Sequence, residues 1–80
     1  MMDNNEKYLS VFTEILDITE DQTAGLVYQD IPAWDSVGHM ALVAALEDAF
    51  DIMFDTDDII DFSSFEKGKE ILANNYNIEF

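Results

Sequence analysis

Eighty residues make one domain at the small end of the range, where surface outweighs interior. Eighteen Asp and Glu stand against three Lys, a formal charge of −15, so nucleic acid is excluded as a direct partner and an anionic membrane surface is disfavoured. At 49% apolar and 12% aromatic the chain is too hydrophobic for a disordered acidic tail, and without Cys it has no disulfide, thiolate metal site or cysteine nucleophile.

No apolar run approaches the length of a membrane span, and Met1-Met2-Asp3-Asn4 does not read as a signal peptide. These features predict a cytoplasmic, monomeric protein with basic partners. There is no internal repeat and no linker long enough to separate two domains, so residues 1–80 are expected to form a single unit. Apolar alternation is scarce, which argues against strands.

Helical periods are plentiful. Tyr8, Leu9, Phe12, Ile15 and Leu16 follow the i, i+3, i+4, i+7 rule, with Asp3 as N-cap and Glu6 three residues on in capping-box style. That first helix is predicted to end between Asp17 and Thr19. From Thr19 to Trp34 the chain is long for a connection, and Leu26, Val27, Ile31 and Trp34 are the apolar anchors expected to pack it across the bundle. A second helix is predicted from Asp35-Ser36 to Phe50. A short third one opens at Thr56 with Asp57 and Asp58 in its first turn and Ile59, Ile60 and Phe62 as its apolar contribution. Ser63 with Glu66 reads as another capping box, starting a last helix that carries Phe65, Ile71, Leu72 and Tyr76. The fold class is therefore all-α: a small four-helix bundle of three main helices and one short one, with a long first connecting loop.

The second helix separates into two stripes at about 100° per residue. His39, Leu42, Val43, Leu46, Ala49 and Phe50 form the larger apolar set and are predicted to face the core. Val37, Met40, Ala41, Ala44, Glu47 and Asp48 lie opposite. That second stripe reads either as an incidental exposed face or as a docking strip, with Val37 and Met40 as apolar anchors and Glu47 and Asp48 steering towards basic surfaces.

Catalytic chemistry has little to work with: one histidine, no cysteine and no glycine-rich phosphate loop. The acidic segment Asp51 to Asp61 lacks the spacing of a calcium-binding EF-hand loop, so no metal site is expected there. His39 is expected to be partly buried where the first turn meets the Trp34 loop. The unusual stretch is Trp34-Asp35-Ser36-Val37-Gly38-His39-Met40. A serine at a helix start ordinarily caps it. However, Gly38 costs the first turn about 1 kcal/mol of helix propensity relative to Ala, and an exposed hydroxyl beside free backbone N–H groups tolerates an attached phosphate.

Asp35-Ser36-Val37, near the middle of an acidic helical chain of this length, resembles the Asp-Ser-Leu motif of acyl carrier proteins. The similarity continues through Leu42, Val43, Leu46, Glu47 and Phe50 and covers essentially the whole chain. The resemblance implies that Ser36, with Asp35 beside it, carries 4′-phosphopantetheine, attached by a phosphopantetheinyl transferase. It also implies that the thiol of the arm holds an acyl or aminoacyl group as a thioester for partner enzymes with basic docking surfaces. No enzymatic activity of the chain itself is then expected. Two positions that usually carry acid in fatty-acid carriers hold Gly38 and Ala41, and the paired glycines of peptide-synthesis carriers are absent; the Gly38-His39-Met40 run suggests a specialised stand-alone carrier. The competing reading is an acidic protein-interaction module without a prosthetic group, in which Ser36 is only a cap.

Overall fold

The computed structural model describes residues 3–80; Met1 and Met2, which open the stretch that does not read as a signal peptide, lie outside them. Asp3 starts α1 (Asn4–Leu16) as anticipated, its carboxylate accepting the Glu6 backbone N–H at 2.8 Å. The helix stops where Asp17 turns left-handed at φ 54°, a conformation that Asp tolerates better than most residues. Tyr8, Val11, Phe12 and Leu16 form its buried face, whereas Ile15, counted in the apolar period, is 40% exposed.

The long connection is ordered. Thr19 and Gln22 form a capping box at the start of a 3₁₀ turn (Glu20–Thr23). The chain then pairs briefly with the start of the last helix, the Tyr28 N–H donating to the Ser63 carbonyl and the Phe65 N–H to the Leu26 carbonyl, each at 2.9 Å. Leu26 and Trp34 are buried and Ile31 half-buried, so three of the four expected anchors pack inward; Val27 is exposed. The radius of gyration, 11.4 Å, agrees with the ~11.6 Å of a compact chain of this length, as a packed connection requires.

Then come α2 (Ser36–Phe50), α3 (Thr56–Asp61) and α4 (Phe65–Tyr76). Among the described residues these four α-helices and one isolated β-bridge make a small all-α bundle. Its centre is aromatic. Phe12 meets Trp34, Phe62 and Phe65 edge-on, with ring centroids 4.8–6.0 Å apart.

Two expectations about the last two helices need correction. The N-cap of α4 is Ser64, not Ser63: its hydroxyl accepts the Lys67 N–H at 2.9 Å, because pairing with the long connection commits the Ser63 carbonyl to Tyr28 and sets where the helix starts. In α3, Ile60 is 73% exposed, and the inward positions belong to Asp58, Ile59, which is half-buried against the core, and the flanking Phe62. Asp58 is a buried carboxylate with both oxygens satisfied, one by Asn75 Nδ2 at 2.8 Å and the other by the Tyr76 hydroxyl at 2.6 Å. It ties α3 to α4.

Positive charge is scarce. The one ion pair among the described residues is the exposed Lys67–Glu70 contact at 3.5 Å, worth little to stability. Two helices end on an aspartate, Asp17 and Asp51, where the helix dipole favours a cation. Aromatic burial therefore holds the bundle against its own charge.

Burial also governs the response to alkali. Tyr8 donates to the Phe65 carbonyl at 2.6 Å, and burial, then the nearby Glu66 charge, push its phenol well above the ordinary tyrosine range. Desolvation and the hydrogen bond to Asp58 push Tyr76 in the same direction. A phenol favoured neutral in the fold contributes stability in full below the unfolded value of about 10, and loses it as pH rises through the folded value. In an alkaline titration, tyrosinate absorbance from Tyr8 should therefore appear together with loss of helical circular dichroism. Tyr8 ionising within an intact bundle would contradict this.

Candidate functional site around Ser36

Backbone hydrogen bonds of the connection deliver Ser36 to its position. The Trp34 N–H donates to the Ile31 carbonyl at 3.1 Å and the Gln29 N–H to the Trp34 carbonyl at 3.0 Å, closing the connection just before α2. Asp35 follows in extended conformation as the N-cap, with its Oδ1 accepting the Gly38 N–H at 2.9 Å and its carbonyl accepting the His39 N–H at 2.7 Å. The capping role thus belongs to Asp35. This corrects the reading of Ser36 as a cap and leaves its hydroxyl out of the capping, exposed on the first residue of the helix. The N–H groups of Ser36 and Val37 have no partner within the helix by its geometry, and the positive end of the dipole lies behind them. No acidic residue lies within the first turn itself.

Gly38 is explained by close approach. A Cβ there would collide with the Ala33 carbonyl oxygen and lie 3.1 Å from the carbonyl carbon. Gly38→Ala would gain about 1 kcal/mol on helix propensity, but relieving a backbone collision costs about 1–3 kcal/mol. Thermal melting should therefore show Gly38→Ala less stable than the wild type; a raised melting temperature would mean that the turn yields freely.

His39 is half-buried against the Trp34 loop, as expected, and locked in place. The Trp34 indole N–H donates to Nδ1 at 3.0 Å, and Nε2 lies 2.9 Å from the Ile59 carbonyl. An indole can only donate and a carbonyl can only accept, so the two contacts fit the Nε2–H tautomer. Its ring lies nearly parallel to that of Trp34, 16° apart. With both nitrogens engaged, His39 joins the connection, α2 and α3 and is not free to serve as a base. Beside it lies a groove of about 230 Å³ lined by Tyr28, His39, Ile59, Ile60, Phe62 and Ser63.

The two stripes of α2 fall where the helical period predicts. Leu42, Val43 and Leu46 are buried, and His39, Ala49 and Phe50 half-buried. On the other side Val37 is 79% exposed and Met40 53%, with Ala41, Ala44 and Asp48 also open. Glu47 differs from the expected free acid. It is half-buried, its carboxylate accepting the Phe54 N–H at 2.9 Å and its carbonyl accepting the N–H groups of Asp51 and Ile52. It closes the C-terminal end of α2.

One contact at the site was not anticipated: the Tyr28 hydroxyl lies 3.2 Å from Ser36 Oγ. Spacing gives no hint of it, because an irregular connection separates the two residues. No grouping of three or more acids, histidines or cysteines suited to a metal ion occurs among the described residues, and no helix there is long and apolar enough to cross a membrane. Comparison of the chain with protein-family models, with curated proteins and with solved structures finds no match.

Proposed function

We propose that this protein is a carrier: Ser36 bears 4′-phosphopantetheine, and the domain presents acyl or aminoacyl groups to partner enzymes without catalysing a reaction itself. The observation that carries this reading is the division of labour at the start of α2, where Asp35 caps the helix and leaves the Ser36 hydroxyl exposed. A phosphodiester on Ser36 Oγ would lie beside the free N–H groups of Ser36 and Val37, at the end of the helix that favours an anion. The arm supplies the thiol that the chain lacks.

The exposed strip of Val37, Met40 and Asp48 supports docking by apolar contact combined with steering towards basic surfaces on the phosphopantetheinyl transferase and on the enzymes that load and unload the arm. In this reading the carrier works as a cytoplasmic monomer. The test is an intact-mass measurement after incubation with coenzyme A and a broad-specificity phosphopantetheinyl transferase. A gain of one phosphopantetheine per chain is expected, and a chain that stays unmodified overturns the proposal.

A further inference from the structure

Resting on the carrier reading, we infer that Tyr28 is a positioning residue for Ser36, holding Oγ for attack before the arm is attached and donating a hydrogen bond to the phosphodiester afterwards. Among the described residues the Tyr28 hydroxyl is the side-chain group in hydrogen-bond contact with Ser36 Oγ, at 3.2 Å. The other polar side chains of the site are committed elsewhere: Asp35 to the Gly38 N–H, His39 to Trp34 and Ile59.

The phenol is held in place. The Tyr28 backbone N–H is bonded to Ser63, and the ring meets Trp34 edge-on at 6.2 Å and His39 at 5.2 Å. Its hydroxyl therefore arrives at Ser36 on a braced ring, whereas Ser36 itself is exposed and has little else to fix its rotamer.

In the transfer, the Oγ–phosphorus bond forms as the pyrophosphate P–O bond of coenzyme A breaks. Adenosine 3′,5′-bisphosphate leaves, and the Ser36 proton passes to a base of the transferase or to solvent. Before the reaction either hydroxyl can donate to the other. Afterwards Oγ has no proton, so only donation from Tyr28 survives, to Oγ or to a phosphate oxygen. A donor facing an anion makes the stronger bond, so the contact gains strength as the product forms. Such a residue should act on kcat, while KM follows the docking strip along α2.

Tyr28→Phe removes the hydroxyl and keeps the ring. With full-length protein, coenzyme A and the transferase, the expected result is a kcat lower by about tenfold with KM unchanged, the loss expected for one hydrogen bond. The melting temperature should be unaltered and the phosphorus-31 shift of the attached arm displaced. A second measurement needs no variant: with ring-labelled tyrosine, one of the three tyrosine Cζ resonances should move between unmodified and modified wild type, since Tyr8 and Tyr76 are bonded to Phe65 and Asp58. An unchanged kcat with unmoved resonances overturns the role of Tyr28 while the carrier reading stands. A wild type that accepts no arm overturns both.

Discussion

Ser36→Ala should abolish the addition of phosphopantetheine outright, whereas replacing any other serine by Ala should leave it in place. The chain offers Ser10, Ser63 and Ser64 as alternatives, and the structure gives each a reason to fail. Ser10 sits within α1, half-buried, away from any helix start. Ser64 does sit at a helix start, but as the cap itself, with its hydroxyl accepting the Lys67 N–H at 2.9 Å. Ser63 is exposed, yet it lies in the bend before that cap, and its carbonyl is bonded to Tyr28. Only Ser36 joins an exposed hydroxyl that caps no helix, and meets only the Tyr28 hydroxyl, to the open N-terminal turn of a long helix. Ser36 is exposed and its side chain fills no core space, so the Ala variant should melt as the wild type does and its loss of modification should be a chemical one. Mass spectrometry on the four variants decides the matter: modification persisting in Ser36→Ala would move the site elsewhere.

What the sequence conveys about this bundle is whatever depends on neighbours within a turn or two. Asp3 and Asp35 are legible as caps because each bonds an N–H three residues ahead, and the inward stripe of α2 is legible because helical period alone orients it. The misreadings involve partners outside the residue's own helix. Ser63 and Ser64 are equally good caps locally; the choice is made by Leu26 and Tyr28, more than thirty residues earlier in the chain. Glu47 looks like one more surface acid until the chain turns back and brings the Phe54 N–H onto it. Ile60 counts as core by composition, but a helix as short as α3 spends its inward positions on Asp58 and Ile59 and leaves Ile60 in solvent. The candidate site divides in the same way. Asp35-Ser36 and Gly38 stand out in the sequence because their types are odd for a plain helix start. The reason for Gly38 (the Ala33 carbonyl), the approach of Tyr28 and the Ile59 partner of His39 all require the folded connection.

The opposite faces of α2 should give opposite results. Leu46 has no exposed surface, and deleting its side chain to Ala typically costs about 2–5 kcal/mol. Against a total stability of about 5–15 kcal/mol for an ordinary domain, that is a large share, and larger still here because the chain is short and self-repelling. Leu46→Ala should therefore melt early or populate the unfolded state at room temperature, losing modification only as a consequence. Asp48 is exposed, so Asp48→Lys should keep the melting temperature or raise it, since it lowers the net negative charge. It should still slow recognition by the transferase, because steering towards a basic surface is weakened, and the deficit should shrink at high salt as screening removes the contrast. Glu47→Lys belongs with Leu46→Ala in direction, despite lying next to Asp48. It withdraws the acceptor from the Phe54 N–H, where losing the partner of a sheltered donor costs about 1–3 kcal/mol. Thermal melts paired with modification rates at low and high salt separate the three variants. If Asp48→Lys unfolds as readily as Leu46→Ala, the outward stripe is not a free surface. If it is modified as fast as the wild type at low salt, docking rests on Val37 and Met40 rather than on charge.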